Sequence, residues 1–453
     1  MSFGTRRIGR MLRIAGAAAT LAAVLPGCSY LQWRREKKEE RAQLEKSPTN
    51  LLLEKDYAPQ DCFGLIGRIA IPAGQKSPLL VVALAHASPQ HDLVGSREIV
   101  PETGYYGLLL PAGEYDLVFF ADLNRNGYYE TGEVVGRTPP GSPVVVGPAQ
   151  AKDGVTIAAP DIAIDLSHAT EAEASIRIAV NPRPFVVESV DDPIFAPEMG
   201  ELGVYHPNLL LAKTQSWFYS VGMPDFSKVQ LLLVHGIDGT PRDFKTLIAS
   251  IDQSRYHIWL FYYPSGLALD QLGIVLAGGV ERLAAFEAAK DLRLAVVAHS
   301  MGGLVSRRAL NQLCKSGKPK YLRVYASFDS PYGGIEAVVG AVKRGTELVP
   351  SWTDVAAGSP FLTHLYATPF PKDLPFHLFF GWGLEGAHGP GLAGDGTISL
   401  PSQLDPHMQA AATRMMGYGA THVGILSDPN ALEELGRVLA ETTGSAAAVK
   451  PAS

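Results

Sequence analysis

The rhythm of apolar and polar positions changes at about Lys228 in this chain of 453 residues. Before that point, short apolar runs at 62–71, 79–85, 107–110, 115–121, 144–146 and 155–164 alternate with clusters of Gly, Pro, Asn and Ser. This is the spacing of an all-β sandwich, placed at 60–165. After it, strand-like runs at 229–234, 257–262, 294–298, 322–328 and 376–380 alternate with helical patterns at 242–251, 269–289, 301–314 and 431–440. Alternation of that kind predicts a mostly parallel sheet covered by helices on both faces, an α/β unit over 227–441. Between the two units, residues 166–226 read as a connecting segment punctuated by Pro182, Pro184, Pro193 and Pro197, with one further strand at 175–180. Residues 442–453 read as a disordered tail.

The front of the chain is a targeting segment, so it is set aside from the fold. Arg6, Arg7, Arg10 and Arg13 precede an apolar stretch at 14–25 that is too short to span a bilayer comfortably. It ends in Leu25-Pro26-Gly27-Cys28, which resembles the lipobox of bacterial lipoproteins. That resemblance implies a signal peptide over 1–28, acylation of Cys28 and a membrane anchor in the bacterial cell envelope. Ser29 in the next position implies the outer membrane of a Gram-negative cell. Residues 29–59 form a charged tether in which both signs are mixed densely from Arg34 to Arg41.

Composition narrows the partners. Charged residues make up 19% and hydrophobic ones 46%, and the formal net charge is −6, which argues against a nucleic-acid partner. With Cys28 assigned to the anchor, Cys62 and Cys314 remain, as a disulfide or as two thiols.

Two stretches carry chemistry. The first runs from Asp122 to Glu133, where Asp122, Asn124, Asn126, Tyr128, Glu130 and Glu133 fall at loop positions one, three, five, seven, nine and twelve. Gly127 stands at six. The pattern matches a calcium loop, but a strand rather than a helix precedes it. Its two readings are a structural Ca2+ site and a metal-free Asn/Asp/Gly turn. The second stretch is Leu294-Ala-Val-Val-Ala-His-Ser300-Met-Gly-Gly, a buried strand that turns into a helix at a serine. A turn so tight admits only small side chains two positions away, and Ala298, Gly302 and Gly303 supply them. It presents the hydroxyl at the carboxyl end of the strand.

Downstream come Ser330-Pro-Tyr-Gly-Gly, Gly394-Asp-Gly-Thr and Thr421-His422; upstream lies His235-Gly236-Ile237. In this order the motifs resemble the α/β-hydrolase superfamily on its lipase-like side, over about half the chain. The resemblance implies a triad of Ser300 as nucleophile, Asp395 as acid and His422 as base. It also implies an oxyanion hole made of the Ile237 and Met301 N–H groups. His388 and His407 are alternative bases, Asp329 is an alternative acid, and His299 is structural. The aromatic-rich insertion between Gly334 and Phe376 reads as a lid or a small helical cap. The implied activity is cleavage of a carboxylic ester with a hydrophobic acyl group through an acyl-enzyme, with no cofactor for catalysis. An acyltransferase or amidase using the same triad, or a non-catalytic surface binding lipoprotein, are the other readings.

Overall fold

The computed structural model describes residues 62–71, 77–89, 91–99, 104–151, 156–179, 185–214, 216–285, 289–346, 348–385 and 393–444. The expected signal segment with Cys28, the expected tether and most of the expected tail lie outside them.

Ten strands build the first unit: β1 (Cys62–Arg68), β2 (Leu79–Ala85), β3 (Leu93–Ile99), β4 (Tyr105–Pro111), β5 (Gly113–Ala121), β6 (Tyr128–Glu130), β7 (Val134–Arg137), β8 (Val144–Val146), β9 (Thr156–Ala158) and β10 (Arg177–Ala179). One sheet has the order β4-β1-β9. The other has the order β3-β2-β5-β7, with β8 also on β5. Leu65, Leu108 and Leu110 of the first sheet interlock with Val81, Leu117 and Phe119 of the second to form the sandwich core. β2 reads Leu-Leu-Val-Val-Ala-Leu-Ala with no polar interruption because both of its faces are covered. Its other face, Leu80, Val82 and Leu84, is buried with Val118 and Phe120 beneath Tyr129 and Ile176. Those last two come from the β6–β10 ribbon and the residue beside it.

The second unit is an eight-stranded sheet of order β11-β12-β14-β13-β15-β16-β17-β20. Its elements, in chain order, are β11 (Val186–Val187), α1 (Glu198–Tyr205), α2 (Pro207–Thr214), β12 (Phe218–Val221), β13 (Val229–Val234), α3 (Lys245–Ser250), β14 (Tyr256–Phe261), α4 (Leu269–Ala285), β15 (Leu294–His299), α5 (Met301–Leu313), β16 (Leu322–Phe328), α6 (Glu336–Lys343), α7 (Pro350–Asp354), α8 (Pro360–Ala367), β17 (Phe376–Gly381), a short β18–β19 pair (Leu384–Glu385, Ala393–Gly394), α9 (Leu400–Gln403), α10 (Pro406–Ala411), β20 (Arg414–Tyr418) and α11 (Pro429–Thr443). From β14 to β20 every neighbouring pair is parallel; β12 pairs antiparallel with β14, and β11 runs parallel to β12.

Alternate residues of the central strands go to opposite faces, as the period of two requires. Leu232, Val234, Val296 and Ala298 pack under α4 and α5 with Leu272, Leu276, Leu304 and Val305. Leu231, Leu233, Ala295 and Val297 pack under α3 and α11 with Leu247, Leu435, Val438 and Leu439. This is the α/β-hydrolase arrangement that the motif order implies.

Several boundaries fall elsewhere than the sequence pattern puts them. The segment 166–226 is not a connector: β10 completes the sandwich by pairing with β6, and β11 and β12 are edge strands of the large sheet. The sandwich therefore extends past 165 to Ala179, and the hydrolase unit begins well before 227. The tail at 442 is also shorter, because α11 continues to Thr443 with Gly444 as its left-handed cap. The stretch after Gly334 is helical, with α6, α7 and α8. Trp352 and Phe361 are buried in the α4/α5 core, and Asp354 accepts a 2.8 Å hydrogen bond from the Leu269 N–H.

The two units share packing. Cys62 and Leu109 of the sandwich join the core on the α4/α5 side of the large sheet. Arg97, on β3, is buried and donates from Nη1 to the Leu211 carbonyl of α2 at 3.2 Å. Cys62 and Cys314 are not joined to each other by a disulfide. Among the described residues, no helix is long and apolar enough to cross a membrane.

Candidate active site

β15 runs straight into α5, and Ser300 stands at the junction with φ 54° and ψ −131°. A non-glycine residue in that region stores about 1–3 kcal/mol of backbone strain, so the surroundings must hold it there. They do so through backbone bonds on either side: Ser300 N–H donates to the Phe328 carbonyl at 2.8 Å, and Gly303 N–H donates to the Ser300 carbonyl at 2.9 Å. The helix start is pressed against the end of β13. A Cβ on Gly302 would lie 2.3 Å from the His235 carbonyl oxygen and 2.4 Å from that of Val234. One on Gly303 would lie 2.0 Å from Ser330 Oγ. The small residues of the elbow are thus required by close approach, and Ala298 fits because its methyl group fills the core under α5.

Three side chains meet at this elbow. His422, on the loop after β20, places Nε2 2.8 Å from Ser300 Oγ and Nδ1 2.7 Å from Asp395 Oδ2. The His422 N–H also donates to the Asp395 carbonyl at 3.0 Å, so backbone and ring are both tied to the acid. Asp395 Oδ1 accepts the N–H groups of Thr397 and Ile398 at 2.7 and 2.6 Å. Burial works against ionisation of Asp395. The hydrogen bond and charge of His422, followed by those two N–H groups, outweigh it and hold the carboxyl below its usual range. Sequence reasoning joins Ser300, Asp395 and His422, and all three lie within one chain of hydrogen bonds.

His299 points away from the nucleophile, as expected for an elbow. Its Nε2–H donates to the His422 carbonyl at 2.7 Å. Burial, then the neighbouring His422, lowers its pKa to about 3, so it stays neutral. His235, at the end of β13, is likewise lowered to about 4 by burial; its ring stacks on Tyr263 with centroids 4.2 Å apart.

Of the alternatives, His407 lies outside the site: it is exposed, pairs with Asp405 and stacks on Tyr366. His388 falls outside the described residues. Asp329 does reach the site, with Oδ2 4.0 Å from His422 Nδ1. Gln403 is a residue the sequence did not flag, since no motif contains it. Its Oε1 accepts the Gly381 N–H at 3.1 Å, and its Nε2 donates to the carbonyls of Gly381 and Ile398, bracing the loop that carries Asp395. Met301 opens α5 directly after the nucleophile, and Gly236, the neighbour of Ile237, packs against that serine: a Cβ on Gly236 would lie 3.2 Å from Ser300 Oγ.

The side chains of the Asp122–Glu133 loop bind its own backbone. Asp122 accepts the N–H groups of Asn126 and Gly127 at 3.1 Å each. Glu133 accepts those of Leu123, Asn124 and Glu130. Asn124 accepts from Asn126, and Asn126 accepts from Tyr128. Asp122, Glu130 and Glu133 do not converge: among the described residues, the grouping of three acidic or imidazole ligand atoms within 4.8 Å of one another is Asp329, Asp395 and His422. As they stand, these side chains close the turn on its own backbone.

Fold and site define the class: a serine ester hydrolase with the α/β-hydrolase fold. The family comparison agrees with that class. Residues 227–363 match the family described as "Putative serine esterase (DUF676)". No curated protein matches by sequence. Among solved structures, the chain is similar to a Bacillus licheniformis lipase in its mature form, at 15% identity and a TM-score of 0.37, over 47% of this chain and 93% of that one. It is also similar to a Pyrococcus furiosus esterase at 16% identity and a TM-score of 0.34, over 50% and 85% of the two chains. A phospholipase from Legionella pneumophila matches at 13% identity and a TM-score of 0.33, over 39% and 45%.

Proposed function

We propose that this protein is a membrane-anchored esterase that cleaves carboxylic esters with hydrophobic acyl groups through an acyl-enzyme on Ser300. The observation that carries the reading is the unbroken run from Ser300 Oγ to His422 to Asp395, with contacts of 2.8 and 2.7 Å. A serine hydroxyl is a weak nucleophile until a neighbouring base takes its proton. In the proposed reaction Ser300 Oγ bonds to the ester carbonyl carbon while its proton passes to His422 Nε2. The carbonyl electrons move onto oxygen, where the Ile237 and Met301 N–H groups receive the charge. The intermediate collapses, the alkoxide leaves with the proton from Nε2, and water repeats the sequence to release the acid. Asp395 keeps the Nδ1–H tautomer and balances the imidazolium without itself taking a proton.

The anchor and the place in the cell belong to the same proposal: acylation at Cys28 would tether the enzyme to the bacterial cell envelope, in the outer membrane, near lipid esters. The Asp122–Glu133 loop has a structural role in the sandwich, and catalysis needs no cofactor. Turnover of chromogenic esters of increasing acyl length, by membrane-bound wild type and by Ser300→Ala, tests the reading. It expects a preference for longer chains that vanishes with the serine; activity independent of Ser300 would contradict it.

A further inference from the structure

Two carboxyls, not one, end at the catalytic imidazole. Asp329 closes β16, and its N–H continues the ladder to the Phe379 carbonyl of β17 at 3.0 Å. Its backbone has φ +49°, a left-handed conformation that an aspartate adopts only when its surroundings impose it. The side chain is completely buried. Oδ1 accepts the Gly381 N–H at 2.6 Å, while Oδ2 lies 4.0 Å from His422 Nδ1 and has no hydrogen-bond partner among the described residues. A buried carboxyl oxygen without a partner costs free energy and calls for a role.

We propose that Asp329 is a reserve acid for His422: a positioning carboxyl that stays neutral while Asp395 carries the charge, and becomes the counter-ion of the imidazole when Asp395 is neutralised. The proposal rests on His422 being the base. Two adjacent carboxyls in a dry site do not both ionise, and the charge settles on the one with more donors. Asp395 has three donors, the N–H groups of Thr397 and Ile398 and the His422 ring; Asp329 has one. Burial first, and then the Asp395 charge, hold the Asp329 carboxyl well above its usual range. The other titratable group facing the pair is His299, which is neutral. With Asp395 made neutral, the repulsion that helps keep Asp329 protonated is gone. Its ionised Oδ2 then faces the Nδ1–H across a gap that a small rotation closes. During attack, Nε2 takes the Ser300 proton as before, and Asp329 balances the imidazolium without accepting a proton.

The test compares Asp395→Asn with the double variant Asp329→Asn/Asp395→Asn, using kcat and its pH profile on a chromogenic ester. The single variant should keep a kcat roughly tenfold or more above that of the double. Its activity should rise with pH through an ionisation that the double variant lacks. Equal kcat values with superimposable profiles would overturn the proposal. If the double variant fails to fold, Asp329→Ser in the same background replaces it. A downfield Nδ1–H proton resonance supplies a second readout, retained in Asp395→Asn and lost when Asp329 is also replaced; its loss in Asp395→Asn alone would also overturn the proposal. Ser300→Ala and His422→Ala controls separate the failures. Activity in either contradicts the esterase mechanism, whereas inactive controls with indistinguishable single and double variants contradict the reserve acid alone.

Discussion

His299 Nε2 lies 2.7 Å from the His422 carbonyl oxygen, so the residue just before the nucleophile holds the backbone of the base. The spacing between elbow and base is therefore set by a buried contact separate from the Ser300–His422 hydrogen bond. A neutral imidazole is required, because burial and then the neighbouring His422 outweigh the hydrogen bond to the His422 carbonyl and the charge of Asp395.

That burial makes His299 a source of acid sensitivity. Its folded pKa of about 3 lies below the ordinary value of 6.5, so the unfolded chain binds more protons between the two. Stability from this group is complete above pH 6.5 and is lost as pH falls toward 3. Urea unfolding across pH 4–7 should show the stability advantage of wild type over His299→Asn shrinking on acidification, by about 1.4 kcal/mol per pH unit for one proton. Parallel curves would contradict the assignment.

The elbow should tolerate no added carbon at its start. Gly302→Ala forces a methyl group against two backbone carbonyls, and overpacking of this kind costs roughly 1–3 kcal/mol. We expect a lower melting temperature together with a loss of turnover, because Ser300 moves with the helix start. Gly132→Ala, where a Cβ meets nothing within 4 Å, is the matched control and should change neither. Calorimetry of the two variants decides.

The site was legible where a motif has a steric cause. The elbow needs small residues in a fixed pattern, and Ser300, Asp395 and His422 follow in the chain order of the superfamily that the motifs resemble. Legibility failed where side chains act one at a time. Gln403 bridges Gly381 and Ile398 from a short helix with no sequence signature. The pairing of Asp329 with Asp395 depends on β16 and β17 being neighbours, which spacing alone does not fix. Strands divide in the same way. β2 is buried on both faces and stands out as an apolar run, whereas β20 is an edge strand whose Met415 is 49% exposed, so its pattern is weak. β12 is hidden in a proline-punctuated stretch because it is only four residues long and half-buried at both ends, and its partner β14 lies in later sequence.

The anchor is tested by fractionation. Wild type should partition with membranes, and Cys28→Ser should escape lipidation and be recovered in the soluble fraction. Equal release of both forms would refute the lipoprotein reading.

Calcium should bind the Asp122–Glu133 loop weakly, since at most three of its side-chain ligands, Asp122, Glu130 and Glu133, are charged. With a Kd on the order of 1 mM, as in extracellular modules, 10 mM calcium would stabilise the sandwich by about 1.4 kcal/mol. A small rise in its melting temperature with unchanged ester turnover is expected. Loss of turnover on chelation, with the hydrolase unit still folded, would contradict a structural role.

The central claim is that Ser300 is the nucleophile activated by His422. Its most direct test is turnover of a short-chain chromogenic ester by purified, folded wild type, Ser300→Ala, His422→Ala and Asp395→Asn. Ser300→Ala and His422→Ala should each lose several orders of magnitude, to a similar floor, because the two act as a unit. Asp395→Asn should lose less, since nucleophile and base remain in place. Undiminished turnover in Ser300→Ala would contradict the account at its root.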